Sequence, residues 1–368
     1  MKSLQERVAA LRPGLPGAAG RSALPFVIVI ALAYVIDALL GPAVGATWSK
    51  ILLDIGIAIL LAGSLNIVNG YAGQFSLGHA GFMLVGGYTA AWLTFYGGIH
   101  WFGAKGAYGG FLGSGQLLFL ASCVLGGLIA AGLGVVVGLP SLRLRGDYLA
   151  IVTLGFGEIL SRLVKITARQ PKSVDEVKER SLFELANNLG GSENFSQIPG
   201  YTTLFFVYAF AFVLLVFAFR LKYSSHGRGL LAVRENEVAA EAMGVDTTRA
   251  KVVAFVFSAF WGGVGGALYA HQISTLNPAE LGFLKSIDLV LIVVIGGMGS
   301  ITGVVLGAAI LVVLPEVARE LADYRMIAYA LALIIMMILR PQGIMGIKEL
   351  WNTGPWRWVA GRVKRGKQ

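Results

Sequence analysis

The chain has 368 residues, of which 56% are hydrophobic and only 14% are charged, with a net charge of +10. Soluble domains carry about 25% charged residues, so this composition excludes an ordinary soluble domain. The apolar residues come in long blocks rather than in alternation, which is typical of a helical membrane protein and not of a β-barrel.

Nine apolar blocks follow a basic leader at residues 1–23, and each is a candidate membrane segment. The first could be a signal peptide, but its length and the many blocks behind it favour a retained span. In chain order the blocks are residues 24–40, 51–68, 71–96, 116–139, 148–167, 203–221, 251–271, 286–314 and 326–339.

The lysines and arginines predict the orientation of the chain, and this use of the basic charge argues against nucleic acid as a partner. With the N-terminus inside, the basic loop 222–250 is cytoplasmic and the mixed-charge loop 168–202 is outside. The basic tail 341–368 should also be inside, whereas nine crossings would place it outside. Block 286–314 therefore crosses twice or turns back.

The sequence "GGMGSITG", residues 296–303, is where that block is expected to break, and a discontinuous helix is the favoured form. The predicted fold class is thus an all-α, polytopic transmembrane bundle of about ten segments. Its transmembrane domain covers residues 24–340.

Small residues recur every four positions in three of the blocks, a spacing that lets helix backbones approach closely in a bilayer. This pattern predicts tight helix packing. The three rows are Gly126, Ala130, Gly134 and Gly138; Gly262, Gly266 and Ala270; and Gly299, Gly303 and Gly307.

A polar stretch, "NGYAGQFSLGHAGF" at residues 69–82, lies between two apolar blocks. Unsatisfied polar groups in hydrocarbon cost several kcal/mol each, so these must face protein or water. Two interrupted segments, one in each half of a chain, indicate a translocation site near mid-membrane. The alternative is that these side chains only tie helices together. The candidate path residues are Asn66, Gln74, Ser76, His79, Gly296, Gly297, Gly299 and Ser300.

Two charged residues within an apolar block, Glu158 and Arg162, are four positions apart and share one helix face. They are able to pair. Such a face is expected to point into the bundle or toward an aqueous vestibule rather than toward lipid.

Signatures of catalysis and of cofactor binding are absent from the sequence. There is no G-x-x-x-x-G-K-[ST] P-loop and no G-x-S-x-G elbow, and the four histidines are too dispersed for a zinc pattern. The sequence therefore predicts no catalytic residue, no metal and no cofactor in this chain.

The cytoplasmic loop is rich in helix formers from Leu230 to Met243, and Gly244 can end a helix in the left-handed conformation. A short helix projecting between two spans suits docking into a groove of another protein. A solvated connector on the membrane surface is the equally weighted alternative.

Five segments carry a resemblance to a known family. They are "NGYAGQFSLGHAGFMLVGGYTAA" (69–91), "LRLRGDYLAIVTLGFGEIL" (142–160), "AVRENEVAAEAMGVDTTRAKVVAFVFSAFWGGVGGAL" (232–268), "IGGMGSITGVVLGA" (295–308) and "RPQGIMG" (340–346). In this order they resemble the LivM-type permeases of branched-chain amino acid ABC transporters.

The resemblance implies an importer subunit with ABC importer permease architecture, in the plasma (inner) membrane of a prokaryote. It implies a homologous LivH-type permease, two cytoplasmic ATPases that bind the ATP, and an extracytoplasmic substrate-binding protein as partners. The coupling helix would lie at residues 234–244, although Val238 stands where the related EAA pattern has glutamate. Its candidate residues are Arg234, Glu235, Glu237, Ala239, Ala240 and Gly244.

Two other functions remain open at this point. A permease for urea or short amides belongs to a similar family, and binding of leucine or urea by the partner binding protein would decide between them. An integral-membrane enzyme acting on lipid-linked substrates would instead be active without ATPase partners.

Overall fold

The computed structural model describes residues 15–43, 45–103, 108–110, 113–141, 147–171 and 173–317. Beyond these it describes residues 330, 331, 334, 335, 338–340, 342–346 and 349. Only six positions of the last candidate span at 326–339 are described, and most of the leader and the tail lie outside the described residues.

Within the described part of the chain the protein is helical and contains no strand, with one isolated bridge between Phe195 and Leu276. This confirms the all-α prediction. The α-helices, numbered in chain order, are α1 Leu15–Ala43, α2 Ala46–Asn66, α3 His79–Trp92, α4 Gly98–Phe102, α5 Ser114–Ser141, α6 Asp147–Lys165, α7 Val174–Glu179, α8 Leu204–Tyr223, α9 Ser225–Glu235, α10 Glu237–Ala242, α11 Thr247–Ile273, α12 Phe283–Gly296 and α13 Ile301–Val317.

Four described helical segments are long and apolar enough to cross a membrane. Shorter apolar helices at Pro25–Leu39 and Ile301–Glu316 accompany them. The four long segments are Ala46–Tyr71, Ser114–Leu139, Leu204–Tyr223 and Thr247–Ile273.

Two of the predicted small-residue rows, through Gly126 and Gly266, take part in the central helix contacts together with Gly86 and Gly263, which no predicted row contains. Helix α11 packs on α3 and α5, and a Cβ on Gly266 would lie 1.9 Å from the carbonyl oxygen of Met83. A Cβ on Gly86 would lie 2.0 Å from the carbonyl oxygen of Gly263, and one on Gly126 would lie 2.8 Å from that of Gly86. Only glycine permits this approach of three helix backbones.

The polar stretch interrupts the helices as predicted, but at other boundaries. A π-helical turn, Ile67–Tyr71, prolongs α2, and α3 does not begin until His79. Residues 72–78 are non-helical, and Gly73 has a φ of +66° that favours glycine. The candidate span at 71–96 therefore begins eight residues too early, because apolar content alone does not show where this turn ends.

The block 286–314 forms a helical hairpin rather than one discontinuous helix. Helices α12 and α13 pack together, and Gly297 and Gly299 both have positive φ in the break between them. A Cβ on Gly296 would lie 2.4 Å from the carbonyl oxygen of Gly303, and one on Gly307 would lie 2.6 Å from that of Ile292. These contacts require antiparallel helices, which fit either predicted alternative, a double crossing or a segment that enters and turns back.

Candidate translocation path and coupling loop

Asn66 connects the two interrupted segments directly. It is the last residue of α2, and its side-chain oxygen accepts a hydrogen bond from the Gly299 amide at 2.8 Å. Its side-chain nitrogen donates to the Ser300 carbonyl at 3.3 Å. A helix break leaves backbone groups without intrahelical partners, and one buried amide side chain here satisfies both a donor and an acceptor. We call this contact between Asn66–Gly70 and Gly299–Ser300 the junction.

The junction also requires glycine at position 70. A Cβ there would lie 2.5 Å from the Gly299 amide nitrogen. Asn66 and Ser300 are both buried, so in this conformation the two segments meet without a solvent-filled gap between their contacting atoms. The structure thus brings together the candidate path residues Asn66, Gly299 and Ser300.

Arg234 extends to the same junction from the loop 222–250, the candidate coupling loop. Its Nη1 atom donates to the Gly70 carbonyl at 2.7 Å, and the side chain is half-buried. The stem of Arg234 passes beside Gly73, where a Cβ would lie 2.8 Å from the Arg234 Cγ. The sequence predicts Arg234 as an ATPase contact, whereas the structure directs its guanidinium toward the interior of its own chain.

Three other candidate path residues bind neighbouring helices or turns. The Nε2 atom of His79 lies 2.8 Å from the Ser64 hydroxyl, and both residues are buried. The Ser76 amide donates to the Asn69 side chain at 3.2 Å, and the Gln74 side chain donates to the Ala72 carbonyl at 3.5 Å. Of these contacts, that of His79 with Ser64 joins two helices, as the helix-tying alternative expects, whereas those of Ser76 and Gln74 stay within residues 69–76.

The remaining candidates, Gly296 and Gly297, lie at the end of α12 against the C-terminal segment. The Met345 amide donates to the Gly296 carbonyl at 3.2 Å, and a Cβ on Gly297 would lie 2.6 Å from the Gly346 carbonyl oxygen. The sequence "RPQGIMG" therefore contributes backbone donors to the end of α12.

The coupling loop contains two short helices where the composition predicts one from Leu230 to Met243. Asn236 separates α9 from α10, and its side-chain oxygen accepts a hydrogen bond from the Ala239 amide at 3.0 Å. Asparagine favours this capping role over a helix interior because its side chain competes for backbone groups. Gly244 ends the second helix with a φ of +84°, as predicted.

Two apolar side chains are exposed on and next to α10, and one of them, Val238, stands where the EAA pattern has glutamate. Val238 is 64% exposed and Met243 is 84% exposed. Glu237 is turned toward its own chain, because its carboxylate accepts a hydrogen bond from the buried Lys251 of α11 at 2.5 Å. Glu235 and Ala239 are exposed and Ala240 is buried. The loop thus exposes two apolar side chains, Val238 and Met243, which we call the apolar patch, and the ion pair of Glu237 with Lys251 ties α10 to α11.

Glu158 and Arg162 do not form the ion pair that their spacing permits, and no ion pair joins them among the described residues. Glu158 instead accepts a hydrogen bond from the Phe283 amide at 3.0 Å, at the start of α12. A first-turn amide has no intrahelical acceptor, so a carboxylate there satisfies it and is favoured by the helix dipole. Arg162 is exposed.

Sequence reasoning missed Lys222 and Glu349, which also meet at the junction. Lys222 donates to the Gly299 carbonyl at 2.7 Å and to the Glu349 carboxylate at 2.5 Å. By sequence Lys222 is one of several basic residues at a span end. Glu349 carries a usable signal, since it is the sole acidic residue after Arg340 in an otherwise basic tail.

Comparison with known proteins decides the family. The family model described as "Branched-chain amino acid transport system / permease component" matches residues 47–340. The chain belongs to this permease family. No solved structure matches it.

Curated relatives agree with the membership. The chain is 37% identical over 306 residues to the high-affinity branched-chain amino acid transport permease LivM of Salmonella typhimurium, which covers 78% of this chain and 68% of the relative. The LivM protein of Escherichia coli K12 matches to the same extent. The LivH permease of Salmonella typhimurium is 29% identical over 203 residues, covering 54% of this chain and 64% of LivH. This permease is therefore similar to both LivM and LivH.

Proposed function

We propose that this permease is the membrane-spanning subunit of an ATP-driven importer of the branched-chain amino acids leucine, isoleucine and valine. Family membership and the similarity to LivM support this substrate class. The similarity to LivH supports a homologous LivH-type permease as the partner in the membrane. Because the sequence has no P-loop, two separate cytoplasmic subunits supply ATP hydrolysis, and an extracytoplasmic binding protein delivers substrate.

The proposed location is the plasma (inner) membrane of a prokaryote, with the α9–α10 loop in the cytoplasm. Basic residues at this end of α8 support that orientation, since positive charge accumulates on the cytoplasmic side. The mixed-charge loop 168–202 then faces the binding protein. The junction lies at the cytoplasmic ends of α2, α8 and α12.

Two contacts support the mechanism. Arg234 links the coupling loop to the junction through Gly70, and Asn66 links both interrupted segments. The ATPase subunit binds the apolar patch of α10, and its closure on ATP displaces α9. Displacement of α9 withdraws Arg234 and separates the junction. The polar groups released there, together with Gln74, Ser76 and His79, then line the cytoplasmic end of the solute path, since irregular backbone is tolerated where it lines a water-filled cavity.

Co-isolation and uptake by the assembled complex test this function. The tagged full-length chain, purified from its native membrane, is expected to bring down a second permease and two ATPase subunits. In proteoliposomes with the binding protein, the complex is expected to take up leucine only when ATP is present on the side of the membrane that carries the ATPase subunits. A chain isolated alone, or uptake of urea but not of leucine, contradicts the proposal.

An acidic residue in the apolar patch is expected to detach the ATPase subunits. Val238→Asp and Met243→Asp place charge where an apolar interface would bury it, at a cost of several kcal/mol. Because both residues are exposed in the single chain, its thermal stability should stay unchanged. The measurement is the amount of ATPase that co-purifies with each variant.

Phe183→Asp is the matched control, since Phe183 is 90% exposed but lies on the opposite loop. Full recovery of ATPase is expected for this variant. Equal recovery with Val238→Asp and Met243→Asp would show that the patch does not bind the ATPase.

A further inference from the structure

A buried ion pair joins the end of α8 to the C-terminal segment. The side chain of Lys222 is 9% exposed and that of Glu349 is 1% exposed, and Lys222 Nζ lies 2.5 Å from Glu349 Oε1. Burial of two charges is tolerated only when further hydrogen bonds satisfy both groups. Lys222 meets this condition through its second hydrogen bond, to the Gly299 carbonyl in the break between α12 and α13.

Glu349 meets the same condition by capping α13. Its carboxylate accepts hydrogen bonds from the Ile301 and Thr302 amides, both at 3.1 Å, and from the Thr302 hydroxyl at 2.8 Å. The Ser300 hydroxyl donates to it at 3.3 Å. Negative charge is favoured at a helix N-terminus. Although burial opposes ionisation, the hydrogen bonds from Lys222, Thr302 and Ile301 hold the pKa of Glu349 below its usual value.

The same C-terminal segment also occupies the other side of the break. The Ile344 amide donates to the Ile295 carbonyl at 2.8 Å, and the Met345 amide donates to the Gly296 carbonyl. Ile344, Met345 and Glu349 thus satisfy backbone groups at the end of α12 and at the start of α13. The geometry of the break therefore depends on where this segment is held, and Lys222 is the side chain of α8 that holds it.

Lys222 is also directly connected to the coupling loop. It lies in the last turn of α8, and Ser224 caps the start of α9 immediately after it. A displacement of α9 consequently moves Lys222. This changes its hydrogen bond to Gly299 in the break and its hydrogen bond to Glu349, which caps α13.

We propose that Lys222 and Glu349 are positioning residues for transport, which transmit movement of the coupling loop to the α12–α13 break and make the C-terminal segment part of the mechanism. This inference rests on the proposed function. The Lys222–Glu349 pair gives the coupling loop a second connection to Gly299. Lys222 reaches Gly299 from α8, whereas Arg234 reaches it from the α2 side through Gly70 and Asn66.

Coupled transport by the complete complex tests the proposal, with Lys222→Met, Glu349→Gln, the double variant and Lys222→Arg. Each complex is reconstituted with its ATPases and binding protein, and leucine uptake and ATP hydrolysis are measured together. The leucine transported per ATP should fall at least about tenfold in both single variants, because each leaves one buried charge without its partner. Lys222→Arg should keep the leucine transported per ATP near that of the unsubstituted complex, since the positive charge and a hydrogen-bond donor remain.

The double variant separates positioning from folding. It leaves no unpaired buried charge, so it should assemble and hydrolyse ATP while the leucine transported per ATP stays low. The exposed Lys50, at the other end of α2 from the junction, is the control, and Lys50→Met should leave the ratio unchanged.

If the double variant transports as much leucine per ATP as the unsubstituted complex, the inference is overturned and the proposed function is not affected. Absence of leucine uptake by the unsubstituted complex would overturn the proposed function and this inference together. A low ratio in the double variant, with normal ATP hydrolysis and rescue in Lys222→Arg, would support it.

Discussion

Replacement of Asn66 by leucine is expected to abolish leucine uptake by the assembled complex. The change removes the acceptor for the Gly299 amide and the donor for the Ser300 carbonyl, and both backbone groups are buried. An unsatisfied buried polar group costs about 1–3 kcal/mol, so the junction loses about 2–6 kcal/mol in the state seen here. Uptake in proteoliposomes and the thermal stability of the purified chain are the two measurements.

Asn277→Ala is the control for this prediction. The Asn277 side chain accepts a hydrogen bond from the Ala279 amide at 2.9 Å in a turn remote from the junction. Uptake within about twofold of the unsubstituted complex is expected, since a turn contact of this kind contributes about 1 kcal/mol. Normal uptake by Asn66→Leu would show that the junction is dispensable.

Replacement of Gly266 by alanine is expected to prevent close packing of α11 on α3. A Cβ at this position would lie 1.9 Å from the Met83 carbonyl oxygen, which is a backbone atom and has no rotamer by which to move away. Overpacking of a core typically costs 1–3 kcal/mol, and we expect about 3 kcal/mol or more here because two helices must separate. Thermal unfolding in detergent and the yield of folded protein measure the effect.

Gly132→Ala provides the matched comparison on α5, since no atom outside its own helix lies within 4 Å of a Cβ built there. Alanine is the better helix former by about 1 kcal/mol, so this variant should be as stable as the unsubstituted chain or more stable. If Gly266→Ala unfolds at the same temperature as Gly132→Ala, the three-helix contact is not as close as described.

Features set by local periodicity and backbone chemistry were predictable from the sequence. Glycine at four-residue spacing predicts close helix packing by α5 and α11, and "GGMGS" predicts the break after α12. Gly244 predicts the end of α10 because few other residues adopt a positive φ at low cost. Each of these depends on a short run of residues and on no distant partner.

The partners of the polar side chains were not predictable, because they are distant in sequence. Helical spacing favours a pair of Glu158 with Arg162. The Glu158 carboxylate instead accepts a hydrogen bond from the Phe283 amide, 125 positions away in the sequence. From the sequence, Arg234 is expected at the surface of the loop, but the fold places the Gly70 carbonyl within hydrogen-bonding distance of its guanidinium. A single sequence contains no information on such pairings beyond the type of group that needs one.

Accessibility of residue 76 during transport tests the central claim most directly. Ser76 is buried in the interrupted segment, and the single native cysteine, Cys123, is also buried, so Ser76→Cys adds one thiol of similar size with little background. The assembled complex is treated with a water-soluble maleimide, and the labelling rate is compared without nucleotide and during ATP turnover with leucine-loaded binding protein. We expect slow labelling at rest and at least about tenfold faster labelling during turnover, as the buried segment becomes a water-filled path. An equal rate in both states, in a complex that transports leucine, would contradict passage of the solute beside these residues.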